Sequence, residues 1–205
     1  MAPSSPKAGR NRPRTEAKLR EAVMALLVEG GFGALTPSAV AKTAGVDKML
    51  IYRYFGGMDG LVAAIANGPD FFPTFEEVCG GDPDATRALP IAERAALVLD
   101  NIARVLMARP VVLELMVWEM VERNALTAIT ETARETMGLR IVSELFGDAR
   151  EPDKLGAMSA VLSAGVTYLA LRRRNIRWFN GIDLRSDEGW AQIRAAIAAM
   201  TAGVN

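Results

Sequence analysis

Apolar residues recur along this chain at three- and four-residue steps, broken by glycine, proline and capping residues, which is the period of amphipathic helices packed on a core. From Glu16, Leu19, Val23, Leu26 and Leu27 share one face with Arg and Glu opposite, and Gly30-Gly31 closes the helix. Thr36-Pro37 offers an N-cap followed by proline at the first helical position, opening a short helix that stops at Gly45. Asp47 caps a third helix running to about Phe55 before Gly56-Gly57, and a fourth extends from Asp59 to about Asn67. Residues 68–90 are rich in Gly, Pro and Asp and read as a linker or long loop, with Phe71, Phe72 and Phe75 tucking into the second domain. Further helices are expected over 91–108, 110–123, 125–146, 152–175 and 187–200. No internal repeat and no strand pattern of useful length is visible. The expected fold class is all-α.

Composition narrows the chemistry. Half of the 205 residues are hydrophobic and 23% are charged, as in folded proteins with a real core. Histidine is absent and Cys79 is the only cysteine. A transition-metal site, Ser-His-Asp catalysis and an internal disulfide therefore lack their residues, and a reducing cytoplasm suits the chain. No metal, cofactor or catalytic residue is expected. Glu, Arg or Asp interrupts each apolar run, so no membrane span is expected. Residues 1–14 carry Lys7, Arg10, Arg12 and Arg14 among three prolines and read as a disordered basic arm, either a solvated tail or a segment reaching a groove. Charge is balanced overall but not along the chain. Residues 1–56 hold nine basic and four acidic groups, so a positive head precedes a negative body and suits a polyanion partner.

The short helix, glycine turn and short helix from Thr36 to Phe55 form a unit that places its second helix in a major groove while the first braces it. Ala41 permits close approach at the turn. Val46, Ile51 and Phe55 are spaced to pack inward, leaving Lys48, Met49 and Arg53 outside, and Tyr52 and Tyr54 bring hydroxyls suited to phosphate oxygens. The run Thr36-Pro37-Ser38-Ala39-Val40-Ala41, Ala44-Gly45-Val46-Asp47 and Ile51-Tyr52-Arg53-Tyr54-Phe55 resembles the DNA-binding signature of the TetR/AcrR family of bacterial repressors. The resemblance implies a domain over 15–58 that reads operator DNA, with Thr36, Pro37 and Ser38 on the backbone, Tyr52 and Tyr54 clamping phosphates, and Lys48, Met49, Leu50 and Arg53 facing bases. Arg53 suits bidentate guanine readout or a phosphate. Two positions depart from the family's habit. Met49-Leu50 replaces a small residue and Thr, which suggests apolar contact with thymine methyls, and Met58 stands where a phosphate-binding lysine is common.

The same resemblance implies a helical ligand-binding and dimerisation domain over 59–205, a homodimer, a small-molecule effector, cytoplasmic location and release of DNA by a small, largely apolar ligand. Gly156, Ala160 and Ala164 recur every fourth residue and allow close helix approach, and the Trp190, Ile193, Ile197 and Met200 seam can meet them. Met107, Glu114, Trp118 and Met137 are candidate ligand contacts, with core packing and an ordinary salt bridge of Glu114 as the plainer explanations. Arg172, Arg173, Arg174 and Arg177 suit an anion or, more plainly, a solvated helix end. Cys79 reads as incidental or as a redox switch. Two other functions stay open: a DNA-binding dimer with no inducer, controlled by a protein partner or by abundance, and an enzyme using Glu114 or Glu119 as acid or base. A filled second-domain core favours the former, a cavity of several hundred cubic ångströms the sensor.

Overall fold

A computed structural model describes residues 12–147 and 152–202. Lys7 and Arg10 of the expected arm lie outside them. The described chain is helical almost throughout: α1 (Arg12–Gly30), a 3-10 turn (Phe32–Ala34), α2 (Pro37–Ala44), α3 (Met49–Phe55), α4 (Met58–Ala66), α5 (Phe75–Val78), α6 (Pro83–Ala88), α7 (Ile91–Ala108), α8 (Pro110–Val121), α9 (Ala125–Phe146), α10 (Pro152–Arg172) and α11 (Asp187–Thr201), with strands β1 (Trp178–Phe179) and β2 (Ile182–Asp183) between the last two. The all-α reading holds.

Two compact units result. The first runs through Gly68 and takes in Glu114–Ala133; the second comprises Pro69–Leu113 and the chain from Arg134 onward. In the first, α1 buries Leu19, Ala22, Val23 and Leu27 at helical spacing, and packs chiefly on α2. Ile51 of α3 and Leu61, Val62 and Ile65 of α4 complete this core. α1 starts in its first turn with Arg12 and Pro13, four residues before the expected Glu16, because proline is tolerated where the N–H would be unpaired. Arg12 and Arg14 are thus helical residues, not parts of a disordered arm.

In the second unit α7 is the central helix, with α5, α10 and α11 packed on it. The glycine- and proline-rich stretch is no open loop. Thr74 and Glu77 form a capping box that starts α5, Asp82 and Pro83 start α6, and Phe71 and Phe75 are buried as expected. Arg94 is 5% exposed. Its guanidinium donates to the Leu89 carbonyl at 2.8 Å, to Arg87 at 2.6 Å and to Leu145 in the last turn of α9, closing two helix ends at once. Asp100 of α7 is similarly buried and accepts from Arg104 at 2.7 Å and from Arg194 of α11 at 3.0 Å.

Three features take their form only in the folded chain. The two-residue strands, too short to alter the all-α class, pair about Asn180-Gly181: both residues have positive φ, 48° and 80°, as a tight two-residue turn requires. Within the arginine cluster, Arg174 and Arg177 are exposed, and two members brace the hairpin. Arg173 donates to the Leu184 carbonyl at 3.0 Å, and Arg177 pairs with Asp183 at 2.8 Å, a hydrogen bond that holds that carboxyl below its usual range. These arginines fasten the hairpin. Finally, Trp190 and Ile197 of the α11 seam are buried, and α11 packs on α7. The outward face of α11 is a row of small residues, Ala191, Ala195, Ala196 and Ala199, ending at exposed Met200.

Helix α10 also corrects the reading that charges break every apolar run. Lys154–Arg172 is long and apolar enough to cross a membrane by length and composition. Only 22% of it is buried within the chain, and Val161, Ala164 and Tyr168 lie bare.

Candidate nucleic-acid interface

The glycine turn between α2 and α3 sets the geometry. Gly45 takes the left-handed conformation at φ 64°, and the Val46 N–H reaches back to the Ala41 carbonyl at 3.0 Å, which ends α2 in a tight reversal. Asp47 Oδ1 accepts from the Met49 N–H at 2.8 Å and starts α3 two residues on. Buried Val40, Ala41 and Ala44 hold α2 on α1.

On α3 the helical period sorts the side chains. Ile51 is fully buried and Phe55, one turn on, is half-buried. Lys48, Met49, Tyr52 and Arg53 are exposed on the other face, with Met49 at 61% and Tyr52 at 49%. Leu50 and Tyr54 are half-buried at its edges. At the start of α2, Thr36 Oγ1 accepts from the Ala39 N–H at 3.2 Å and Pro37 has no N–H, so the Ser38 N–H and the exposed Thr36 and Ser38 hydroxyls face outward together. Met58 sits half-buried at the start of α4. The structure therefore brings all nine expected DNA-contacting residues to the ends and outer face of one two-helix element.

One residue of this surface was not expected there. Arg12 lies with its guanidinium 5.1 Å from the centroid of the Tyr54 ring while pairing with Glu16 at 2.7 Å, so the start of α1 adds a cation beside the end of α3. Proline at position 13 is the signal that the helix begins early enough to place it there.

The segment Glu114–Ala133 belongs to the same unit through a close approach. Gly31, after α1, is buried at φ 65°, and a Cβ there would lie 2.7 Å from the Trp118 ring and 2.6 Å from Glu122 Oε1. Only glycine suits both the conformation and the space. Gly31→Ala is expected to destabilise this unit by about 2–4 kcal/mol, from left-handed strain plus overpacking. Thermal unfolding followed by circular dichroism should show a lower midpoint; an unchanged one would mean Trp118 yields freely.

The four expected ligand contacts divide between the two units. Glu114 and Trp118 fall in the first unit, Met107 and Met137 in the second. Trp118 lies against Gly31, its Nε1 buried without a hydrogen-bond partner among the described residues. Met137 packs against the second unit's core cluster around Phe75, Val98 and Leu145. None of the four lines the cavity of about 100 Å³ that the second unit contains, between α7, α9, α10 and α11. Cys79 belongs to that same core cluster, where burial pushes its thiol up from the usual range and makes it a poor nucleophile.

Residues 19–65 match the family described as bacterial regulatory proteins, tetR family. No curated protein matches the chain. Among solved structures it is similar to a TetR-like transcriptional regulator from Rhodococcus sp. RHA1, at 17% identity and a TM-score of 0.61, with 92% of this chain and 96% of that one covered. A TerR/AcrR-family regulator from Aquifex aeolicus VF5 aligns at 15% identity and TM-score 0.62, over 91% of this chain and 99% of that one. A TetR regulator from Agrobacterium tumefaciens aligns at 20% identity and TM-score 0.59, over 94% of each. Residues 19–65 thus carry the tetR-family domain, and the chain has the helical fold of the TetR-like regulators it is similar to.

Proposed function

We propose that this DNA-binding regulator is a homodimeric repressor released from its operator by a small, largely apolar molecule. The observation that carries the DNA contact is the sorting of α3, which puts Ile51 in the core and leaves Lys48, Met49, Tyr52 and Arg53 exposed together. Arg53 reads a guanine edge, and Met49 and Leu50 lie against thymine methyls. Tyr52, Tyr54 and Arg12 hold one phosphate run, and Thr36, Pro37 and Ser38 at the start of α2 hold another. Two such heads read half-sites one helical turn apart, about 34 Å, when the dimer sets their spacing. The bare strip of α10 and the alanine row of α11 are the surfaces that a second copy covers. The domains divide accordingly into a head built on α1–α3 and the rest of the chain for ligand and partner.

The alternative, a DNA-binding dimer governed by a protein partner or by its own abundance, draws support from the cavity's size. About 100 Å³ is smaller than the roughly 300–1,000 Å³ usual for drug-sized ligands. DNase footprinting on the DNA upstream of its own gene, with and without candidate apolar ligands, separates the readings. Two protected half-sites that ligand clears are expected. Protection unmoved by any ligand favours the alternative, and no protection at all defeats both.

A further inference from the structure

We infer that Gly60, in the first turn of α4, is the positioning residue of the DNA-reading helix: it lets α4 close on the Phe55 carbonyl and so fixes where α3 presents Arg53 to a base edge. This rests on the reading of α3 as the operator-contacting helix above. A Cβ at position 60 would stand 1.8 Å from the Phe55 carbonyl oxygen and 2.9 Å from its carbon. Both atoms are backbone, so no change of rotamer moves them aside. Gly60 is not among the glycines with positive φ, and α4 therefore does not need glycine there for its own conformation. Glycine is also a poor residue inside a helix. What position 60 requires is space. The approach lets the glycine Cα–H meet the oxygen, a carbonyl at a helix end where no donor of that helix follows.

The packing decides which helix yields when that space is taken. Helix α4 is anchored: Leu61, Val62 and Ile65 are buried, and Arg20 of α1 donates to the Ala64 carbonyl at 3.2 Å. Helix α3 packs chiefly on α4 and commits one buried side chain, Ile51, to the core. A methyl group at 60 therefore displaces the end of α3, by about 1.5 Å before an ordinary contact distance is recovered. Binding constellations tolerate about 0.5 Å. Tyr52, Arg53 and Tyr54 all lie in that last turn, so the displacement reaches the groups that face DNA.

The test uses the full chain and fluorescence anisotropy on the footprinted operator and on unrelated DNA, at a temperature where circular dichroism shows each variant folded. Gly60→Ala and Gly60→Ser are expected to lose roughly 10- to 100-fold in operator affinity and to agree within about threefold, because the Cβ they share causes the displacement. Binding to unrelated DNA should stay within about threefold, since the electrostatic part of binding tolerates misplacement. Gly138→Ala of α9, where a new Cβ meets no atom within 4 Å, is the control and should bind as the unaltered chain does. In an Arg53→Ala background, Gly60→Ala should cost less than about threefold more, because the contact it misplaces is already gone. A fully additive loss overturns the positioning role and reduces Gly60 to a general support of the head. One glycine inserted between Gly57 and Met58 slackens the same junction without a Cβ at 60, and should cost operator affinity to a similar extent. That chain decides the matter if Gly60→Ala does not fold. Operator affinity kept by folded Gly60→Ala, or by the inserted chain, overturns the inference and leaves the DNA-binding reading untouched. An unaltered chain that binds operator and unrelated DNA alike overturns that reading, and this inference with it.

Discussion

Arg53→Ala is expected to weaken operator binding 10- to 100-fold while leaving binding to unrelated DNA within a factor of a few. A bidentate arginine-guanine pair discriminates by about 1–3 kcal/mol, and a phosphate contact discriminates hardly at all. Arg53 stands exposed one turn after Met49, on the face of α3 that is turned away from Ile51 and the core. Tyr52→Phe removes only a hydroxyl, and should weaken specific and non-specific binding alike by about fivefold, the worth of one hydrogen bond near 1 kcal/mol. Arg53→Lys sharpens the test, because a lysine replaces a phosphate contact but not a planar two-pronged one. Measured by anisotropy at several salt concentrations, an equal loss on both DNAs for Arg53→Ala would reassign this residue to the backbone.

The second large effect is on stability. Arg94→Met is expected to destabilise the second unit by about 3 kcal/mol, since the methionine fills similar space but donates nothing. The Arg87, Leu89 and Leu145 carbonyls, at the ends of α6 and α9, would then be left unpaired and mostly out of water. At about 2–4 °C per kcal/mol for a chain of this size, the melting temperature should fall by roughly 10 °C. Differential scanning calorimetry gives the number, and a fall of a degree or two would mean that water reaches those carbonyls once the arginine is gone. Operator affinity at low temperature should be unchanged, because every group involved lies in the second unit.

The legible parts of this protein are those whose determinants are local. Thr36-Pro37, Gly45 and Asp47 each act on a backbone bond within three residues, so the boundaries of α2 and α3 and the outward set on α3 can be read directly. The period that buries Ile51 also exposes Arg53. Local signals stand at Thr74–Glu77 and at Asn180-Gly181 as well, where a glycine-rich composition and a run of arginines mask a capping box and a two-residue turn. Other features are set by the tertiary structure. Trp118 has the residue type of a ligand contact, and only the packing of Glu114–Ala133 shows it lying on Gly31. Apolar spacing makes a seam of Trp190, Ile193 and Ile197, but does not say which helix receives it. The cavity is a property of what four helices fail to fill, and no single stretch of sequence encodes that.

The bare strip on α10 has a consequence in the cell. In the homodimer proposed above, a lone chain holding Val161 and Tyr168 in water is less stable than a paired one, and pairing is a bimolecular step. Where chains are scarce compared with the dissociation constant of the pair, the concentration of dimers rises as the square of the number of chains. Operator occupancy would then respond to expression level more steeply than in proportion. A twofold change in synthesis would be felt as up to a fourfold change in the species that grips DNA.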